Sequence, residues 1–86
     1  MDPAELLRQR AALIATELEL AITFLDVART TQRQEVAKRN VGNAQKAYET
    51  ATKWLAEDGA EYVEREKIEA LVAQVKGALE EAPPAD

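Results

Sequence analysis

Apolar residues recur along the first third of the chain at alternating steps of four and three. Leu7, Ala11, Ile14, Leu18, Ala21, Leu25 and Ala28 form a seven-residue repeat that keeps one stripe of an α-helix facing a partner. A second row, Leu6, Leu13, Leu20 and Val27, runs beside this seam, with Ile22 and Phe24 on its margins. The two rows predict an apolar face wide enough to touch two neighbours, hence at least three helices. The opposite rows hold Gln9, Thr16, Thr23 and Thr30, and Glu5, Ala12, Glu19 and Asp26. They face solvent, so Asp26 reads as an exposed acid rather than a catalytic one.

A second seam follows the same spacing: Ala37, Val41, Ala44, Tyr48, Ala51 and Leu55, with Val36, Ala47 and Trp54 beside it. Its phase differs from the first. Continuing the first register would put Gln32, Glu35, Arg39, Gly42 and Lys46 on the core side, so a turn near Thr31 is predicted. Thr31 with Gln34 three residues on fits a capping box, and the β-branched pair Thr30 and Thr31 weakens the helix there. A third seam runs through Ile68, Val72, Val75, Leu79 and Ala82, with Leu71 and Ala78 alongside.

The ends of these elements carry their own signals. Asp2-Pro3 with Glu5 starts the first helix: the Asp carboxylate caps free amides, and Pro fits the first turn. Asp58-Gly59 supplies turn chemistry after the second helix, with Asp58 and Glu61 spaced to cap the third. Tyr62 and Val63 either lie in that helix or staple its start. Pro83-Pro84 ends it, because neither ring can continue the hydrogen-bond ladder. The expected fold is all-α, an antiparallel up-down-up three-helix bundle with helices about 3–29, 32–57 and 61–82. Residues 1–82 form one domain and 83–86 a short tail.

Composition narrows the chemistry more than it narrows the fold. The 86 residues include no His, no Cys and no Ser, which excludes Ser/His/Asp and Cys/His nucleophile systems outright. Cys/His zinc sites go with them, and no glycine-rich phosphate loop is present. No enzymatic activity, cofactor or metal is therefore expected. No apolar stretch approaches the roughly 20 residues of a membrane span, and the acidic start differs from the basic one of a secretory signal. A cytoplasmic protein without membrane contact is the expectation.

The chain is acidic, with 11 basic against 16 acidic residues, and unevenly so. Residues 57–86 hold three basic and nine acidic groups. Glu57, Asp58, Glu61, Glu64, Glu66 and Glu69 lack the glycine-turn spacing of a calcium loop, and Arg65 and Lys67 interleave to pair with them. Arg29, Arg33, Lys38 and Arg39 gather around the first turn, where they are candidates for contacting phosphate or RNA. The net charge of −5, with no aromatic residue among these cations, makes nucleic acid the weaker reading.

The second helix carries the other candidates. Its seam is made of small residues, Ala44, Ala47 and Ala51 among them, with Tyr48, Trp54 and Leu55 toward its end. Leu and Ile of the first helix can fill the space the alanines leave. Alternatively the alanine face is a groove that accepts a partner's apolar helix, anchored by Tyr48 and Trp54. Trp54, beside the seam rather than on it, is the ring expected to be partly exposed. Asn40 and Asn43 bond across helices or sit at exposed positions.

Residues 39–51, Arg-Asn-Val-Gly-Asn-Ala-Gln-Lys-Ala-Tyr-Glu-Thr-Ala, resemble a segment of small uncharacterised bacterial three-helix proteins in which such a run precedes the final helix. They are also similar to the Ala-x-x-Ala-Tyr helix of tetratricopeptide repeats and of microtubule-interacting-and-trafficking domains. That resemblance implies helical hairpins that hold peptides in grooves, although no second copy of a 34-residue repeat occurs here. The functional expectation is a protein-interaction module or a self-associating bundle, with an unidentified protein or a second copy as partner.

Overall fold

The computed structural model describes residues 2–58 and 64–82. They form three helices and no strand: α1 (Pro3–Thr30), α2 (Gln34–Asp58) and α3 (Arg65–Glu81). α1 starts as its sequence dictates. Pro3 occupies the first helical position, and the Asp2 carboxylate Oδ1 accepts from the Ala4 amide at 3.2 Å.

The turn after α1 falls where the phase break placed it, with different capping. Thr31 is extended and its amide donates back to the Val27 carbonyl at 2.9 Å. Its hydroxyl accepts from the Arg33 amide at 3.2 Å, and Gln34 is the first residue of α2. The expected capping box would have needed Gln34 one turn inside the helix; instead Thr31 closes a tight side-chain turn three residues before Gln34, where α2 begins. The predicted start at residue 32 is therefore two residues early.

α3 begins later than residue 61. α2 runs through Asp58, and Glu64, in the left-handed conformation (φ 60°, ψ 35°), precedes α3 with no side-chain cap. Asp58 is the last residue of α2, and the N-cap position of α3 belongs to Glu64. Glu61, Tyr62 and Val63, like Gly59, lie outside the described residues.

The core is the three seams. Ala11, Ile14, Leu18, Ala21, Leu25 and Ala28 of α1 meet Ala37, Val41, Ala44, Ala47 and Ala51 of α2 and Ile68 and Val75 of α3. Tyr48, Trp54, Leu55, Leu71, Val72 and Leu79 pack half-buried around them. Among the described residues no polar or charged side chain is buried. Alanine recurs where α1 and α2 face each other, so their axes approach closely while Ile14 and Leu18 fill the remaining volume.

One exposed position is poorly used. Gly77 sits inside α3, and a Cβ built on it meets nothing within 4 Å. Gly77→Ala is expected to stabilise the fold by roughly 0.5–1 kcal/mol, by removing unfolded-state entropy at no steric cost. Urea denaturation with an unchanged slope would register it as a shift in midpoint.

Candidate partner-binding face

The row Leu6, Leu13, Leu20 and Val27 corrects the expectation that it would touch a second neighbour. These residues are 44%, 57%, 43% and 39% exposed, against zero for Ile14 and Leu18 on the adjoining seam. At seven-residue spacing they drift only slightly around a 3.6-residue helix, so they form one stripe along the length of α1. α1 reaches α2 and α3 through its seam and through Ile22 and Phe24, and this leaves the stripe uncovered.

Polar groups beside the stripe are already satisfied. The hydroxyls of Thr16, Thr23 and Thr30 donate to the carbonyls of Ala12, Glu19 and Asp26 at 2.9, 3.2 and 2.8 Å. A partner laid on this face would strand no hydroxyl, which removes the usual penalty for burying polar atoms. On the α2 side, Asn40 Nδ2 donates to the Val36 carbonyl at 2.9 Å. Asn40 thus bonds back along its own helix rather than across to a neighbour.

Where the stripe meets α2, a shallow cleft of about 200 Å³ is lined by Arg10, Leu13, Ile14, Trp54 and Glu57. It falls below the roughly 300 Å³ of a small-molecule site. Trp54 is half-buried here, as its position beside the seam predicted. A second hollow of about 200 Å³ lies between α1 and α3, between Leu25 and Ala28 on one side and Ala78 and Ala82 on the other. Residues near the C-terminal ends of α1 and α3 line this hollow together, and Leu13 of α1 lines the first cleft with Trp54 of α2.

Of the two readings of the alanine face, the packed one holds and the groove does not. Ala44, Ala47 and Ala51 are buried beneath α1 and the half-buried side chains around it, because Leu and Ile side chains of α1 occupy the space their small size leaves. Tyr48 is half-buried against the same cluster, with no buried carboxylate among the described residues to pair with it. Of the five residues singled out on α2, Trp54 and the edge of Tyr48 remain accessible.

The basic cluster does not converge. Arg29 Nη2 donates to Asp26 Oδ1 at 3.1 Å on the surface of α1, and Arg33 lies in the turn. Lys38 and Arg39 are adjacent on α2 and so point about 100° apart around its axis. Arg39 instead continues a row with Lys46 and Lys53, all three exposed. Arg65 Nε donates to Glu69 Oε1 at 2.8 Å on α3, as the interleaving of charges there predicted. No group of acidic side chains suited to a metal ion occurs among the described residues, and no described helix is long and apolar enough to cross a membrane.

The exposed stripe is the feature that sequence periodicity misplaced. Periodicity records that residues share a face, and a covered row and a bare one have the same spacing. One signal could have separated them. The row lies about 120° around α1 from the centre of the seam, further than two flanking helices reach when they also pack against each other. No protein-family model, curated protein or solved structure matches the chain.

Proposed function

We propose that this protein is a non-enzymatic helical interaction module whose contact surface is the outer face of α1. The observation that carries the reading is the exposure of Leu6, Leu13, Leu20 and Val27 in one continuous line. Scattered surface leucines need no explanation, but a contiguous apolar stripe on a small domain marks a place where something docks. The line is about 32 Å long at 1.5 Å per residue, a length that suits a helix or a helical face rather than a small ligand.

Leu13→Glu with Leu20→Glu tests this through the binding of a fluorescent apolar dye at submicromolar protein. The native protein is expected to bind the dye and the double variant to lose it, with an unfolding free energy within about 1 kcal/mol of native, since exposed substitutions rarely change stability by more than about 0.5 kcal/mol each. A large loss of stability with dye binding unchanged, or a native protein that binds no dye, would show that these side chains serve the fold and would overturn the reading.

A further inference from the structure

We propose that α3 is a releasable strap: it leaves the bundle as a unit, by an opening less costly than unfolding of the whole chain, while α1 and α2 stay paired. The inference concerns α3 alone and stands apart from the reading of the outer face of α1. Of the three helix pairs, α1 with α2 is the most extensive and α2 with α3 the least. α1 buries a run of side chains from Ala11 to Ala28, and α2 buries Ala37, Val41, Ala44, Ala47 and Ala51. Among the described residues, α3 buries Ile68 and Val75 alone, two helical turns apart. Leu71, Val72 and Leu79 are half-buried around these two points. Nearer the end of α3 the packing is open, since Ala78 and Ala82 line a hollow of about 200 Å³ with Leu25 and Ala28 of α1.

Local support for α3 is also weak. It has 17 residues, against 28 in α1 and 25 in α2, close to the length at which an isolated helix is marginal in water. Glu64, through which the chain enters it, holds the left-handed conformation that an L side chain disfavours and supplies no side-chain cap. α1, by contrast, starts on the capping Asp2 and carries Arg29 in its last turn, beside the negative end of its dipole. α3 ends on Glu80 and Glu81 with no basic residue in its last turn, so like charges meet there. Gly77 in its interior favours the unfolded segment, and the open space around it shows that no close packing requires a glycine.

Release of α3 breaks the two lesser interfaces and leaves the hairpin of α1 and α2 whole, because α3 follows both in the chain. An element held by few buried apolar contacts opens at a free energy below that of global unfolding. The opened chain uncovers Leu25 and Ala28 beside the hollow, each 7% exposed in the closed bundle. They belong to the seam of α1, a different side of the helix from the outer row of leucines.

Native-state hydrogen exchange of the full chain, read residue by residue by NMR at urea concentrations below the unfolding midpoint, tests the proposal. The amides of Leu71, Val72 and Val75 are expected to be about tenfold or more less protected than those of Leu18 and Val41. Their protection should also fall less steeply with urea, because their opening exposes less surface. Ala12→Gly makes the test independent of those magnitudes. It weakens α1 at an exposed position, and is expected to lower the protection of Leu18 and Val41 by about two- to fivefold while leaving the α3 amides unchanged. Equal protection and equal urea slopes throughout, or α3 amides that lose protection together with Leu18 and Val41 in the variant, would show that α3 leaves only when the whole chain unfolds. Either result overturns the proposal.

Discussion

Leu18→Ala is expected to lower the free energy of unfolding by about 3–5 kcal/mol, the upper part of the range for a buried leucine truncation. Leu18 is fully buried at the middle of α1, among the largest side chains of the core. Its surroundings are poorly able to collapse around a void, because the facing positions on α2 are alanines, which have no side-chain length with which to follow. A domain of this size is stabilised by only several kcal/mol in total, so the variant should be partly unfolded at 25 °C. Leu20→Ala, two residues on, is expected to change stability by less than about 1 kcal/mol, since Leu20 is 43% exposed. Urea denaturation of the pair measures the contrast. Equal losses at the two positions would mean that the outer row of α1 is covered in the folded chain.

That contrast also marks how far the sequence carried. The three seams were legible because helical periodicity and burial coincide on them: all but Leu7 of the α1 seam is buried, as are the alanines and Val41 of α2. The phase break near Thr31 was legible because no straight helix can aim two stripes in two directions. The outer leucine row was not, since its cover depends on where α2 and α3 sit around α1. Nor was the start of α3, where Asp58 and Glu61 have capping-box spacing but the helix formers before Asp58 carry α2 through it. The spread of the basic cluster was hidden for a related reason. Four cations within eleven residues are close along the chain, yet a helix turns neighbours 100° apart, and Asp26 holds one of them.

The alanines of α2 carry the second large effect. Ala44→Leu is expected to destabilise the fold by about 2–3 kcal/mol or more, near the top of the range for overpacking a tight core. Ala44 and Ala51 are fully buried one above the other, two helical turns apart, and Ala21 of α1 is fully buried in the same cluster. A leucine at position 44 must either push the helices apart, which opens voids beside Leu18 and Val41, or adopt a strained rotamer. Ala12→Leu supplies the control. It adds the same atoms to an exposed position of α1 and should change stability by no more than about 0.5 kcal/mol. Thermal unfolding of the two variants separates the outcomes: had the alanine face been an open groove for a partner's helix, the leucine at position 44 would be tolerated in the free chain and would obstruct only the partner. A marked fall in midpoint for Ala44→Leu alone identifies those alanines as the surface on which α1 and α2 close upon each other.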